Sequence, residues 1–478
     1  MATHTANGDS SLSFWPRVRE FAVPPSMIET ATARRRVGDW AGACSAAGMD
    51  VDLSLRSLTH SHGRALMAQV RADLRQLAPD LLRWHMPRIA PDGLLRPGLT
   101  IALARYAAAE RDEPGPLHLV VRTPPAWADA GQRISLGLWD GSHPEAYARR
   151  HPHPRPGRRF RLDLHRHLWD ASRADELRSR SGVDRPVDHE RALSERELSD
   201  PELPELPETV PHRDRCALNR WAAEAGIVLR AEGRQEAGGS VLVRLGGRHR
   251  LVLDVPSAGR APVVRLADSA KSERGHGSSL PVLPDAATWV PPDVELLRAG
   301  AIEPGRLHPL VAAALVPDHS PGPAGPAELP EAPRLVDCRG VPHRIGLVDG
   351  VLAPLDHDPD EIRREELLVA LTGTPLPCLR AIDEAHRRPD CLTGVRERLD
   401  HGDIAGALAV VEGLLGPEAV LRDGPLRAEL EAAAQRRITY GLFRAGLIGT
   451  AHRPPRLRPD DPCRTRDNRA HPRHASHR

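Results

Sequence analysis

Asp163, His165 and His167 are the residues whose types and spacing first suggest chemistry. On an extended strand they alternate with Leu162 and Leu164, so all three project from one face. A carboxylate and two imidazoles on one face is how some divalent-metal sites begin. His151 and His153 are near enough in the chain to add ligands. Arg161 shares that face and opposes a cation, and a polar edge turned to solvent explains the alternation without a metal.

A denser cluster is Asp356-His357-Asp358-Pro359-Asp360-Glu361. It could hold a divalent cation or supply a general base. Helix capping is the simpler account: Asp358 precedes a proline at the first helical position, and acids fill the first turn. Two further pairs, His249-Arg250 and His343-Arg344, each open the return strand of a Gly-containing hairpin. Facing one another, they would grip an anion from two sides. Polar hairpin rims are the simpler account of both pairs.

The signatures of established chemistries are missing. The chain contains no G-x-x-x-x-G-K-[ST], G-x-S-x-G, H-E-x-x-H or G-x-G-x-x-G segment. Asp383-Glu384-Ala385-His386 is similar to a helicase acidic box, but the phosphate loop it requires is lacking. The six cysteines form no C-x-x-C pair, which is neither a disulfide framework nor a zinc-finger spacing. Cys378 and Cys391, with His386 between them, read as buried structural thiols. No cofactor is expected.

The elements that must position these residues point to an α+β fold: a helical N-terminal part, short antiparallel sheets, and a helical C-terminal part. Residues 1–18 read as a disordered lead-in. Leu66, Val70, Leu74 and Leu77 recur at helical spacing. Alternation predicts strands at Leu117–Val121, Ile134–Leu138 and Phe160–Leu164. The first unit spans 19–183, and a Pro/Glu-rich linker covers 184–211. A β-rich middle unit with flanking helices covers 212–317, with strands expected at Ile227–Arg230, Val241–Leu245, Arg250–Val255 and Val263–Leu266. A Pro/Gly-rich linker covers 318–333. The last unit, 334–450, opens on a hairpin turning at Asp349-Gly350 and continues as helices. An Arg/His-rich disordered tail fills 451–478.

One local motif occurs twice: Gly38-Asp39-Trp40-Ala41-Gly42-Ala43 and Gly402-Asp403-Ile404-Ala405-Gly406-Ala407. Each reads as a helix stop, an Asp cap for the next helix, and small residues that let the two helices pack closely.

The 66 basic and 64 acidic residues nearly balance, which argues against a dedicated nucleic-acid or membrane-surface protein. No apolar run of about eighteen residues occurs, so no membrane span is expected. Met1 to Phe14 lacks the apolar stretch of a signal peptide. Cytoplasmic localisation follows.

Phrases such as FAVPPSMIETATARRRVGDWAGAC, LAPDLLRWHMPRIAPDGLLRPGL and RIGLVDGVLAPLDHDPDEIRREELL resemble an actinobacterial family of proteins with no assigned activity. The resemblance implies a bacterial cytosolic setting and brings no catalytic residue or cofactor. The functional expectation is a non-catalytic scaffold or regulatory protein whose partner is another protein, with no membrane or nucleic-acid role and no oligomeric state specified. The alternative is a metal-assisted hydrolase using Asp163, His165 and His167, or the 356–361 cluster.

Overall fold

The computed structural model describes residues 2–3, 10–107, 116–129, 131–141, 151–183, 206, 215–234, 238–246, 249–256, 262–266, 280–319, 334–338, 340–373 and 375–447. The expected linkers, apart from residues 206, 318 and 319, and the expected tail lie outside this set. The fold is α+β, with helices at both ends and short, mainly antiparallel sheets between them. Among the described residues no helix is long and apolar enough to cross a membrane.

The N-terminal helices are α1 (Ser10–Phe21), α2 (Pro25–Arg36), α3 (Trp40–Ala46), α4 (Leu55–Gln76) and α5 (Pro79–His85). They pack on a sheet of β1 (Met49–Val51), β2 (Thr100–Tyr106), β3 (Leu117–Arg122) and β4 (Ile134–Trp139), ordered β1-β4-β3-β2. On α4, Leu66, Val70 and Leu74 are buried, as their spacing predicts. The lead-in is shorter than expected, because α1 is ordered and Phe14, Trp15 and Val18 are buried on one side of it. Burying two aromatic rings offsets the entropy of ordering those turns.

In the middle, α6 (Leu218–Ala231) covers an antiparallel sheet of β5 (Gly239–Leu245), β6 (His249–Val255) and β7 (Val263–Leu266). The strand expected at Ile227–Arg230 is the last turn of α6. Trp221, Ala225, Val228 and Leu229 fall on one helical face and meet Val241, Val243, Leu251 and Leu253. Two later helices, α7 (Pro292–Arg298) and α8 (Pro309–Leu315), read by sequence as part of this unit, contribute Val294, Leu296, Val311 and Leu315 to the N-terminal core instead. Ion pairs fix them there. Asp293 accepts from Arg19 at 2.9 Å and from the Trp84 indole at 3.2 Å, and His308 meets Asp80 at 3.1 Å.

The C-terminal unit begins with the antiparallel strands β8 (Arg334–Cys338), β9 (Val341–Val348) and β10 (Val351–Pro354). Asp349 (φ 50°) and Gly350 (φ 75°) make the turn the Asp-Gly pair predicts. Five helices follow: α9 (Pro359–Thr372), α10 (Pro377–Arg387), α11 (Leu392–His401), α12 (Ile404–Leu415) and α13 (Pro425–Ala445). This bundle docks on the N-terminal unit through Arg83, which donates to the carbonyls of Ala22 (2.9 Å), Gln132 (2.6 Å) and His401 (2.9 Å).

The repeated motif is the same structure twice. Asp39 accepts from Gly42 N at 2.8 Å and Asp403 from Gly406 N at 2.9 Å, while Arg34 and Arg398 pair with the two caps. The second glycine has a different purpose from the close helix packing its sequence suggests. A Cβ at Gly42 or Gly406 would stand 2.1 Å from the capping carboxylate, so that glycine makes room for the cap.

Candidate metal centre

Among the described residues, one group of three or more thiols, imidazoles or carboxylates converges: Cys338, His343, His357 and Cys378. One ligand atom of each lies within 4.8 Å of those of the others. Strand alternation explains the first pair. Cys338 ends β8 opposite Val341, and His343 pairs with Val336, so Cys338 and His343 point to the same face of the hairpin. His357 follows β10 and precedes the Asp358 cap of α9. Cys378 is the second residue of α10, which lays its first turn under the sheet.

Both sulfurs are buried, Cys338 at 2% exposure and Cys378 at 0%. The His357 side chain is 5% exposed. His343 Nδ1 and His357 Nε2 stand 2.7 Å apart, and the opposite nitrogen of His357 faces the Glu361 carboxylate at 3.3 Å. Burial, with the adjacent Cys338 thiol, pushes Cys378 up to about 11. Leu376, Val336 and Leu379 form the small apolar surround. Two sulfurs and two ring nitrogens suit a thiophilic, tetrahedral cation, which would take the place of the proton between the rings.

The sequence placed these donors in separate readings. His343 stood in the anion-binding hairpin, His357 in the acidic cluster, and the cysteines among structural thiols. The missed signal is Cys338-x4-His343 across the Gly340 turn, two donors on one face of a hairpin. Within the 356–361 cluster the work is divided. Asp358 caps α9 by accepting from Asp360 N at 2.8 Å, while Asp356 takes the Arg344 guanidinium at 2.6 Å and the Arg344 amide at 2.7 Å.

Asp163, His165 and His167 are not a convergent group. The expected strand at 160–164 is replaced by single turns, Leu162–Leu164 and Arg166–Leu168, closed by bonds such as His165 N to Leu162 O at 3.1 Å. A lone bridge from Ala102 to Arg161 offers no ladder to extend. With about three residues per turn, alternate side chains no longer share a face. Asp163 is clasped by Arg161 at 2.8 Å, and His165 contacts Glu224 at 3.2 Å. Burial raises Glu224, but hydrogen bonds from His165 and Arg180 outweigh it and hold the carboxyl at about 2. His167 borders a cavity of about 40 Å³ with His85, Arg220 and Asp285, room for roughly one or two waters. His151 Nε2 donates to Thr123 O (2.8 Å), away from this cluster.

The two His-Arg pairs belong to different sheets. His249 and Arg250 open β6 in the middle unit, opposite Leu245 and Arg244. His343 turns inward to the cysteines, and Arg344 turns outward to Asp356. Comparison with protein-family models, curated proteins and solved structures finds no match for this chain.

Proposed function

We propose that this chain is a non-catalytic cytoplasmic scaffold or regulatory protein that works through contacts with other proteins. The observation that carries this reading is the closed donor set: all four positions around the candidate centre are protein side chains. A catalytic metal keeps a position open for water or substrate, whereas a four-donor site with two cysteines is the architectural type. The other polar clusters agree, since Asp163 is held by Arg161 and Asp356 by Arg344, leaving neither carboxylate unoccupied as a general base. Free, largely buried cysteines suit a reducing compartment.

The test has two arms. The purified full chain is assayed against ester, phosphoester and peptide substrates with added zinc or manganese, and no turnover is expected. Turnover abolished by Asp163→Asn or Asp356→Asn would establish the hydrolase instead. Photo-crosslinking in native cells from the outward-facing Leu335 and Val351, 66% and 37% exposed, is expected to trap a defined protein partner. Crosslinks confined to the chain itself count against the scaffold.

A further inference from the structure

We infer that Cys338, His343, His357 and Cys378 bind one zinc ion, and that this ion fastens the β8–β10 sheet to α10. The inference rests on reading the centre as closed and architectural.

Donor chemistry selects the ion. Calcium and magnesium take oxygen ligands, whereas two cysteine sulfurs with two imidazoles in a tetrahedral shell are a zinc set. Tetrahedral zinc, with Zn–S of about 2.3 Å and Zn–N of about 2.0–2.1 Å, spaces its donors roughly 3.3–3.8 Å apart. The ligand atoms lie within 4.8 Å of one another, with the two nitrogens at 2.7 Å, so small side-chain adjustments complete the shell. On binding, each S–H releases a proton to solvent as its metal bond forms, and the proton held between the two neutral rings moves to Nε2 of His343, freeing its Nδ1 for the metal. Two thiolates then balance the dication, which leaves the buried centre neutral. Glu361 accepts from His357 Nδ1 and directs Nε2 inward, the outer-shell partner expected of a histidine ligand.

Position assigns the role. Three donors come from the sheet and its exit, and the fourth from α10. The apolar material immediately around the donors is small, with Cys338, Leu376 and Cys378 buried and Val336 and Leu379 partly so, while Leu352 of β10 packs farther along against the bundle core that includes Ala385. A metal held by both layers adds a fixed link at the end where the apolar contact is least.

Untagged full-length chain, produced in zinc-replete medium, is analysed by elemental mass spectrometry, and one zinc per chain is expected. Cys338→Ser and Cys378→Ser should reduce zinc to background, while Cys391→Ser should retain it. Because a cysteine variant can lose zinc by failing to fold, the wild type is also titrated with cobalt(II), which should give the visible bands of a tetrahedral thiolate–imidazole site. Chelation should speed hydrogen exchange across 334–378 and leave the N-terminal sheet unchanged. A metal-free wild type, zinc kept by both serine variants, or iron or copper in its place would overturn the inference. Zinc together with hydrolytic turnover would leave the site standing and remove the non-catalytic reading, so the two fail separately.

Discussion

His343 Nδ1 and His357 Nε2 lie 2.7 Å apart, close enough that a single proton or a single cation serves both rings. Two protonated imidazoles at that distance would repel, and two bare nitrogens would leave both lone pairs unmatched. The segment that delivers His357 is organised around this contact. Asp356 holds Arg344 on the outer face of the sheet, Asp358 starts α9, and Glu361 reaches back to His357 Nδ1 at 3.3 Å. Successive side chains thus anchor the strand, the helix and the ring between them.

Glu361 fixes the His357 ring without being a ligand. Glu361→Gln should weaken zinc affinity about 10- to 100-fold, the usual effect of losing an outer-shell carboxylate. Stoichiometry at saturating zinc should stay at one per chain. Competition against a chromogenic chelator reads the affinity, and an unchanged value would show that the 3.3 Å contact contributes nothing.

The repeated Gly-Asp turn provides a matched pair of substitutions. Gly38 (φ 79°) and Gly402 (φ 90°) share a left-handed backbone, but their surroundings differ. A Cβ on Gly38 meets nothing within 4 Å, whereas one on Gly402 would lie 2.0 Å from the Gly131 carbonyl oxygen. Gly38→Ala should therefore cost only the left-handed penalty, about 1–2 kcal/mol. Gly402→Ala should cost about 1–3 kcal/mol more, because the backbone of the docking surface must move. Urea denaturation of the two variants decides it, and equal losses would mean that the contact yields without cost.

Local pattern made much of this fold legible. The β9–β10 hairpin, the five C-terminal helices and both Asp caps follow from turn chemistry and periodicity acting over a few residues. The failures share a cause in long-range packing. Leu162 and Leu164 alternate as a strand would, yet the segment meets β2 only at the single Ala102–Arg161 bridge and no ladder extends from it, so the backbone closes on itself. α7 and α8 follow the middle sheet in sequence but bury Val294 and Val311 against the N-terminal core. The metal centre was least legible of all. Cys378 stands 21 residues beyond His357 on a separate helix, and only tertiary folding brings it to the sheet.

Arg83 is buried and remains a cation at neutral pH. Burial, with Arg133 adding to it, lowers it only to about 10. Its three carbonyl acceptors come from three separate segments, ending at α11. Arg83→Met keeps the apolar stem but removes the donors, and should cost several kcal/mol, about 1–3 kcal/mol for each buried carbonyl left without a donor. Arg83→Lys keeps the charge, yet one ammonium cannot span three acceptors arranged around a planar fork, so rescue should be partial. Limited proteolysis should release the C-terminal bundle from the methionine variant first. Wild-type resistance would place the docking energy elsewhere.

His401 links that docking surface to pH. Burial, then the guanidinium groups of Arg88, Arg83 and Arg17, lower its imidazole from 6.5 to about 3. Glu397 is the acid facing it, 3.8 Å from Nε2. Folded His401 is neutral down to about pH 3, whereas the unfolded chain protonates below 6.5. As pH falls through that window the unfolded state binds an extra proton, so stability falls by at most about 1.4 kcal/mol per pH unit for this group. The contribution is complete above 6.5 and its loss levels off below 3. Glu224 behaves separately, since its depressed carboxyl stabilises the fold fully above 4.5 and loses that only as pH falls toward 2. Between pH 6.5 and 4.5 the imidazoles therefore act without it. His401→Asn should be less stable than wild type at pH 7.5 but show a shallower decline across this window, because the asparagine does not titrate. Other buried histidines, including His151 at about 4, contribute equally to both curves and cancel in the difference. Unfolding free energies at half-unit pH steps give both slopes, and parallel lines would show that His401 takes up its proton in the folded state as readily as in the unfolded one.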